Sequence, residues 1–264
     1  EMTSSLVGSE MCIRDRGEIW GYRVDGLFAS DEEAAEYTSK INQDAVNERI
    51  LTDKVDPYYR AGDLKLRDLD GDNVISKGDD TAYDAGDREI IGNETPRYMY
   101  SFRLGADWNG FDLGIFFQGV GKRDWYPNYL STGFWGPYSR AFTSFIPENF
   151  MDQCWSEENR DGYFPRFRGY QTFAGSQLGV NNDRYLQDAS YIRLKNLTVG
   201  YTLPVLKKVF TKLRVYFTGE NLWYWSPMLK HTKYIDPEAA GGNGNTGMAY
   251  NYSRNFSVGV DITF

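Results

Sequence analysis

Histidine and cysteine are nearly absent from this chain. The single histidine, His231, excludes a triad or a metal centre built on paired histidines. The two cysteines, Cys12 and Cys154, form no metal-type pair and cannot define a disulfide framework. Cys154 has no histidine near it in sequence and reads as a buried or incidental thiol. No run of about 18 apolar residues exists, which excludes a transmembrane helix. It does not exclude membrane-crossing strands, which are short and alternate in polarity. Positive charge is also scarce: 29 Lys and Arg stand against 37 Asp and Glu, a net charge of −8. That balance argues against a nucleic-acid partner, which needs basic patches, and against anionic lipid as the main target.

Aromatic residues are plentiful, with 20 Tyr, 16 Phe and 7 Trp making up 16% of the chain. Rings combined with high polarity suit a transmembrane barrel: aromatic girdles at both interfaces, apolar side chains toward lipid, polar ones toward the lumen. An aromatic-rich secreted β-protein is the other reading of the composition.

Residues 1–16 (EMTSSLVGSEMCIRDR) carry no core pattern and no signal-peptide apolar region. The string ending in MCIRDR resembles a translated sequencing-adapter scar, so this segment is expected to be a gene-prediction artefact, with the true protein extending further upstream. Residues 17–97 read as an extracellular loop region. A short helix is expected after Ser30, where Ser30 and Glu33 form a capping box ahead of DEEAAEY. An acidic run follows from Asp63 to Asp87.

From residue 98 the texture changes to strands and loops. Tyr98, Tyr100, Phe102, Leu104, Ala106 and Trp108 fall on one face, with Met99, Ser101, Arg103, Gly105 and Asp107 on the other. Asn109-Gly110 is the strongest short hairpin signal. Phe111, Leu113, Ile115 and Phe117 then alternate with Asp112, Gly114, Phe116 and Gln118. A third strand is expected over 191–203, where the apolar phase slips between Leu194 and Leu197, as at a bulge or an emergence above the membrane. A fourth runs from Leu213 to about Trp223. The fifth closes the chain, with Phe256, Val258, Val260, Ile262 and Phe264 on one face. Each strand approaches the roughly 9–11 residues that cross a bilayer. The connections alternate between short and long, as barrels with short periplasmic turns and long outer loops require. Five strands cannot close a barrel, so an open edge in lipid calls for further strands. The fold class is therefore all-β: an antiparallel transmembrane β-barrel of which these are the C-terminal strands. The polar set Arg103, Asp107, Asp112, Gln118, Arg214 and Asp261 is expected to face the lumen.

Several long stretches, in order, resemble the C-terminal region of SusC/RagA-type TonB-dependent outer-membrane transporters. They are GDLKLRDLDGDNVISKGD (62–79), DREIIGNETPRYMYSFRLGADWNGFDLGIFFQGVGKRD (87–124), YLQDASYIRLKNLTVGYTLP (185–204), LRVYFTGENLWYW (213–225) and SVGVDITF (257–264). The resemblance implies a barrel of roughly 22 strands with an N-terminal plug. It also implies import of oligosaccharides or peptides across the cell outer membrane, a SusD-like surface lipoprotein as partner, and energy delivered through the TonB complex. Outer-membrane lipid and the barrel insertion machinery are the remaining implied partners. The uptake reading places oligosaccharide first and peptide second. An outer-membrane adhesin or enzyme on a barrel is the rival, and the lone histidine argues against an enzyme.

The sharpest chemical motif runs from Asp68 to Asp79. Asp68, Asp70 and Asp72, with Val74, Ser76 and Asp79, follow EF-hand ligand spacing, and Ile75 supplies the hydrophobic eighth position. Asn73 replaces the usual glycine, and Asp79 the bidentate glutamate. A structural Ca²⁺ site and a solvated acidic turn are both open at this point. Gly242–Gly247 matches G-x-G-x-x-G but lacks the flanking strand and helix, so it reads as a loop. Glu157-Glu158 reads as a solvated charge pair rather than glycosidase carboxylates. In the long loop after residue 121, Trp125, Trp135, Tyr138 and Trp155 are candidates to contact substrate by stacking on sugar faces; packing within the loop is the alternative. Terminal Phe264 is expected to act as an assembly signal read by the insertion machinery.

Overall fold

The computed structural model describes residues 17–43, 59–81, 83–140, 146, 148–167, 178–204, 211–240 and 251–264. The 1–16 segment with Cys12, the Gly242–Gly247 motif and most of the turn after Pro204 lie outside these residues. The described residues group into two compact units, one drawn from 1–95, 124–187 and 240–249, the other from 96–123, 188–239 and 250–264.

The first unit is built from short elements. Strand β1 (Glu18–Tyr22) pairs antiparallel with β4 (Arg88–Asn93), and β2 (Val24–Leu27) with β3 (Leu64–Leu66). Helix α1 (Asp31–Thr38) forms where the capping box stands. The Glu33 amide donates to Ser30 Oγ at 3.2 Å, and Glu33 Oε2 accepts from the Ala29 amide at 2.7 Å, one residue further back than the usual box. Its apolar face buries Ala34 and Tyr37 against Phe28 and Tyr59. A neighbouring core joins Tyr22, Leu66 and Ile75. Two short helices, α2 (Thr132–Trp135) and α3 (Pro137–Arg140), follow in the long loop.

The second unit is a five-stranded antiparallel sheet. Its strands are β5 (Tyr98–Trp108), β6 (Phe111–Gly121), β7 (Tyr191–Leu203), β8 (Lys212–Trp225) and β9 (Asn255–Thr263). They lie side by side in chain order. Asn109 and Gly110 join the first two with φ of 47° and 87°, the two positive values that a type I′ hairpin requires. The phase slip in the third strand is a bulge: Phe116 faces Asn196 but Phe117 faces Leu194, and β8 shifts register against the same residues between Glu220 and Trp223. Asn221, at φ 53°, absorbs the shift on β8.

Cross-strand registry makes one face continuously apolar. Ala106 opposes Leu113, Leu113 opposes Val199, Val199 opposes Phe217, and Phe217 opposes Val258. Ring pairs reinforce it, with Phe102–Phe117 centroids at 4.9 Å and Phe111–Tyr201 at 4.5 Å; such pairs contribute about 0.2–1 kcal/mol each. Among the described residues nothing covers this face: Tyr98 is 65% exposed and Val258 75%. An apolar sheet face of this extent is unsuited to water.

Candidate functional site

The opposite face of the sheet is polar. Arg214 on β8 reaches across β7 to Asp112 on β6, giving Nε–Oδ1 and Nη2–Oδ2 hydrogen bonds of 2.8 and 2.6 Å, and its Nη1 donates to Asp261 Oδ2 on β9 at 3.0 Å. The strand in between contributes Gly200 at the crossing. A Cβ there would collide with both the Asp112 carboxylate and the Arg214 guanidinium, so glycine is what lets the bidentate pair form. Thr198 and Thr218 hydroxyls meet at 3.3 Å further along the same face. Four strands are thus cross-linked on the side away from the apolar surface.

Beyond the bulge, the polar face carries a buried ionic cluster. Arg193 is 1% exposed and lies with its guanidinium carbon 4.7 Å from the Tyr224 ring centre and 5.2 Å from that of Tyr252. Its Nη2 pairs with Asp236 and its Nε with Glu238 Oε2 at 3.0 Å. Lys195 Nζ donates to both Glu238 oxygens at 2.8 Å. The Glu238 amide donates to Asp236 Oδ1 at 2.9 Å, so the acidic pair is also pinned by its own backbone. This cluster straps the β8–β9 loop onto the sheet. Sequence reasoning did not single it out, although the signal was there: Arg193-x-Lys195 on a strand and Asp236-x-Glu238 in the loop share one spacing.

In the first unit, the acidic loop is held by bonds from its own backbone amides to its carboxylates. Asp68 accepts from the Gly71 and Asn73 amides at 2.7 and 2.9 Å, Asp70 from Asp72 at 3.0 Å, and Asp72 from Val74 at 2.6 Å. Asn73 takes the left-handed φ of 67°, and Ile75 is buried in the core. The carboxylates that converge differ from the expected set. Asp68 and Asp70 meet Asp87, with one oxygen of each within 4.8 Å of the others. Ser76 Oγ accepts from the Gly78 amide at 3.2 Å and the Asp79 amide donates to Asp84 at 3.2 Å. Asp72 and Asp79 are not among the converging carboxylates; Val74 and Ser76, expected to contribute a carbonyl and a hydroxyl, lie between them in the same loop. Asp87 is fully buried and accepts from the Leu69 and Ser76 amides at 2.8 and 2.7 Å; burial pushes its carboxyl up from the ordinary range.

The four candidate substrate-contact rings pack inward. Trp135 and Tyr138 are 0% exposed, and Trp125 and Trp155 are also buried. Trp135 Nε1 donates to the Pro127 and Asn128 carbonyls at 3.0 Å each, and Tyr138 donates to the Pro165 carbonyl at 2.5 Å. Phe164 sits among them, 5.5 Å from Phe134, 5.1 Å from Phe150 and 5.9 Å from Tyr138, so the rings form the loop's own core. Cys154 is buried with them, its Sγ 3.6 Å from the Phe150 carbonyl, and burial raises its thiol. Phe264 is 84% exposed, just past the end of β9.

No family model matches the chain. It is 30% identical over 264 residues to TonB-dependent receptor P3 of Formosa agariphila, covering 94% of this chain and 22% of that protein. It is 28% identical over 216 residues to TonB-dependent receptor P26 of the same organism, covering 77% of this chain and 20% of that one. The chain thus spans about a fifth of the length of these relatives. Among solved structures it is similar to the RagAB peptide transporter, with a TM-score of 0.54 and 21% identity over 94% of this chain and 23% of that one. The RagAB peptide importer in its open-open state gives a TM-score of 0.52 and 22% identity over 94% of this chain and 22% of that one. With the uncovered apolar face, the cross-linked polar face and the strand order already described, these likenesses agree on one assignment: the chain belongs to the TonB-dependent receptors, and its strands take the fold seen in the RagAB structures.

Proposed function

We propose that this chain supplies C-terminal strands and outer loops of a barrel in the cell outer membrane that imports a polymeric nutrient with energy drawn through TonB. The observation that carries the reading is the sheet itself: five antiparallel strands of membrane-crossing length, apolar on one face and ionically cross-linked on the other. Strands beyond these five would complete the barrel, toward the roughly 22 of such transporters. The partners under this reading are a SusD-like lipoprotein at the outer mouth, the TonB complex, and the insertion machinery that reads Phe264. No catalysis is involved. Cells carrying or lacking the receptor, each with and without TonB, would be given fluorescent oligosaccharide and oligopeptide pools. Uptake of one pool should vanish with either deletion; uptake indifferent to both would overturn the proposal. Deleting Phe264 should lower the amount of inserted receptor while leaving the melting of the inserted fraction nearly unchanged, since one ring contributes only about 2–3 kcal/mol.

Oligosaccharide remains one substrate class under this reading. The rings expected to stack on sugar are, however, taken up by the loop's own core.

We also propose that Asp68, Asp70 and Asp87 hold a divalent cation that braces the acidic loop. Three carboxylates so close repel one another unless a cation or protons intervene. Calorimetry with Ca²⁺ should show binding to the wild type and none to the Asp70→Ala/Asp87→Ala variant. Identical traces would leave only an acidic turn.

A further inference from the structure

The polar face of the five-stranded sheet is laid out in rows across the strands. Arg103 opposes Phe116, Phe116 opposes Asn196 and Asn196 opposes Glu220, so these four form one row. The next row toward the Asn109-Gly110 turn is Gly105, Gly114, Thr198, Thr218 and Ser257. A Cβ built on Gly105 would come no closer than 3.8 Å to a neighbour, and one on Gly114 no closer than 3.9 Å. Close packing therefore imposes neither glycine, in contrast to Gly200. The row leaves a shallow recess in the polar face. Arg103 and Phe116 border it on one side, and Asp107 and Asp112 on the other.

Charge is split along the β5–β6 hairpin. Residues 97–123 carry Arg97, Arg103, Lys122 and Arg123 from the strand middle outward, and Asp107 and Asp112 at the turn end. Asp112 is neutralised by Arg214, while Arg193 and Lys195 are neutralised by Asp236 and Glu238. Among the described residues Arg103 is in no ion pair. The acid in its own row, Glu220, stands three strands away, about 14 Å along the backbone at roughly 4.8 Å per strand. Asp107 is four residues further along β5, about 13 Å. Both spans exceed the Debye length of about 8 Å at physiological salt, so the Arg103 charge stays open. Its guanidinium carbon lies 5.7 Å from the Phe116 ring centre, a contact that positions the group without using its N–H donors. Asn196 Oδ1 accepts from Thr198 Oγ1 at 3.2 Å, which leaves the Asn196 Nδ2 amide as a further donor in the same row.

We propose that Arg103, Phe116 and Asn196 form a solute-contact site on the lumen wall that selects units bearing a carboxylate. The Arg103 guanidinium takes the carboxylate through paired N–H bonds. The Asn196 amide, two strands over, donates to the next polar oxygen along the solute, and the recess at Gly105 and Gly114 receives the body of the unit. A basic side chain facing a pore is a general device for favouring anions. The net charge of −8 does not oppose it, because screening confines each charge to its own surroundings. The carboxylate belongs to an acidic sugar or to an acidic peptide side chain, and both present the same group to Arg103. The inference rests on the import reading and deepens it by naming the charge of the substrate and the residue that selects it.

The test gives cells producing the full-length receptor four pools labelled with an uncharged dye. Two are oligosaccharides with and without uronic-acid carboxylates, and two are oligopeptides with and without Asp and Glu. TonB-dependent uptake is measured per inserted receptor. Wild-type cells should take up one acidic pool roughly tenfold faster than its neutral counterpart, the low end of electrostatic enhancement, and the pool that shows it identifies the carrier of the carboxylate. Arg103→Gln should bring that ratio below about twofold while sparing the neutral pool, and Arg103→Lys, which keeps the charge, should retain most of it. Arg103 is exposed, so both variants leave the sheet intact. A ratio near one in the wild type, or an unchanged ratio in Arg103→Gln, would overturn the site. Either result is compatible with uptake that needs TonB, so the site fails separately from the import reading; no TonB-dependent uptake of any pool would sink both.

Discussion

Arg193→Ala is expected to destabilise the outer end of the sheet by about 3–5 kcal/mol, the range for breaking a buried ion pair from one side. The guanidinium is 1% exposed between two tyrosine rings, and Asp236 is equally buried. Without Arg193, the Asp236 carboxylate and much of that of Glu238 would remain buried as uncompensated charge, relieved only in part by Lys195. The loop would have to lift from the sheet to rehydrate them. A denaturant titration of the refolded receptor should show the loss, and limited proteolysis should cut between residues 226 and 240 faster than in the wild type. Replacing the whole set at once, Arg193→Met and Lys195→Met with Asp236→Leu and Glu238→Met, should recover much of the stability, because it removes the stranded charges together. A loss under about 1 kcal/mol for Arg193→Ala would show that the cluster does not strap the loop.

The second large effect separates the two faces of one strand. Val260 opposes Val215 within the apolar surface, and its neighbour Asp261 points the other way to Arg214. In a completed barrel, Val260→Arg should cost about 2–4 kcal/mol, since a guanidinium near the bilayer midplane loses its hydration. Asp261→Asn should cost little, because Arg214 keeps its bidentate bond to Asp112 and the lumen is wet. Refolding titrations into lipid vesicles would compare the two. Equal costs would contradict the assignment of lipid to the apolar face.

How legible these features were depended on the distance over which their causes act. Strand β5 was readable to its end residues because strict alternation from Tyr98 to Trp108 and the Asn109-Gly110 turn are local signals. The bulge was readable for the same reason: a slipped apolar phase at Leu194–Leu197 is visible within one strand. The capping box at Ser30 needed only four residues. Strands β1 to β4 were not legible. They run three to six residues, lack alternation, and are held by partners far along the chain, as Glu18 is by Asn93. In the acidic loop the spacing rule runs to Asp79, while the carboxylate found beside Asp68 and Asp70 is that of Asp87, which lies beyond the 12-residue template and is held there by its bonds to Leu69 and Ser76. For the aromatic loop, composition could count rings but could not tell a stacking platform from a core. The structure makes Trp135 and Tyr138 core, because their polar atoms find backbone carbonyls inside.

The central claim is that the apolar face of this sheet meets lipid and the opposite face meets a lumen. The most direct measurement places a nitroxide in turn at residues 256 to 263 of the full-length receptor in lipid vesicles and records accessibility to oxygen and to a water-soluble nickel complex. Oxygen, which concentrates in the bilayer, should reach labels at Phe256, Val258, Val260 and Ile262, and nickel those at Ser257, Gly259 and Asp261, a two-residue oscillation of opposite phase for the two reagents. Accessibility that runs in phase for both reagents, or nickel access at Val258 and Val260, would contradict the membrane-spanning account.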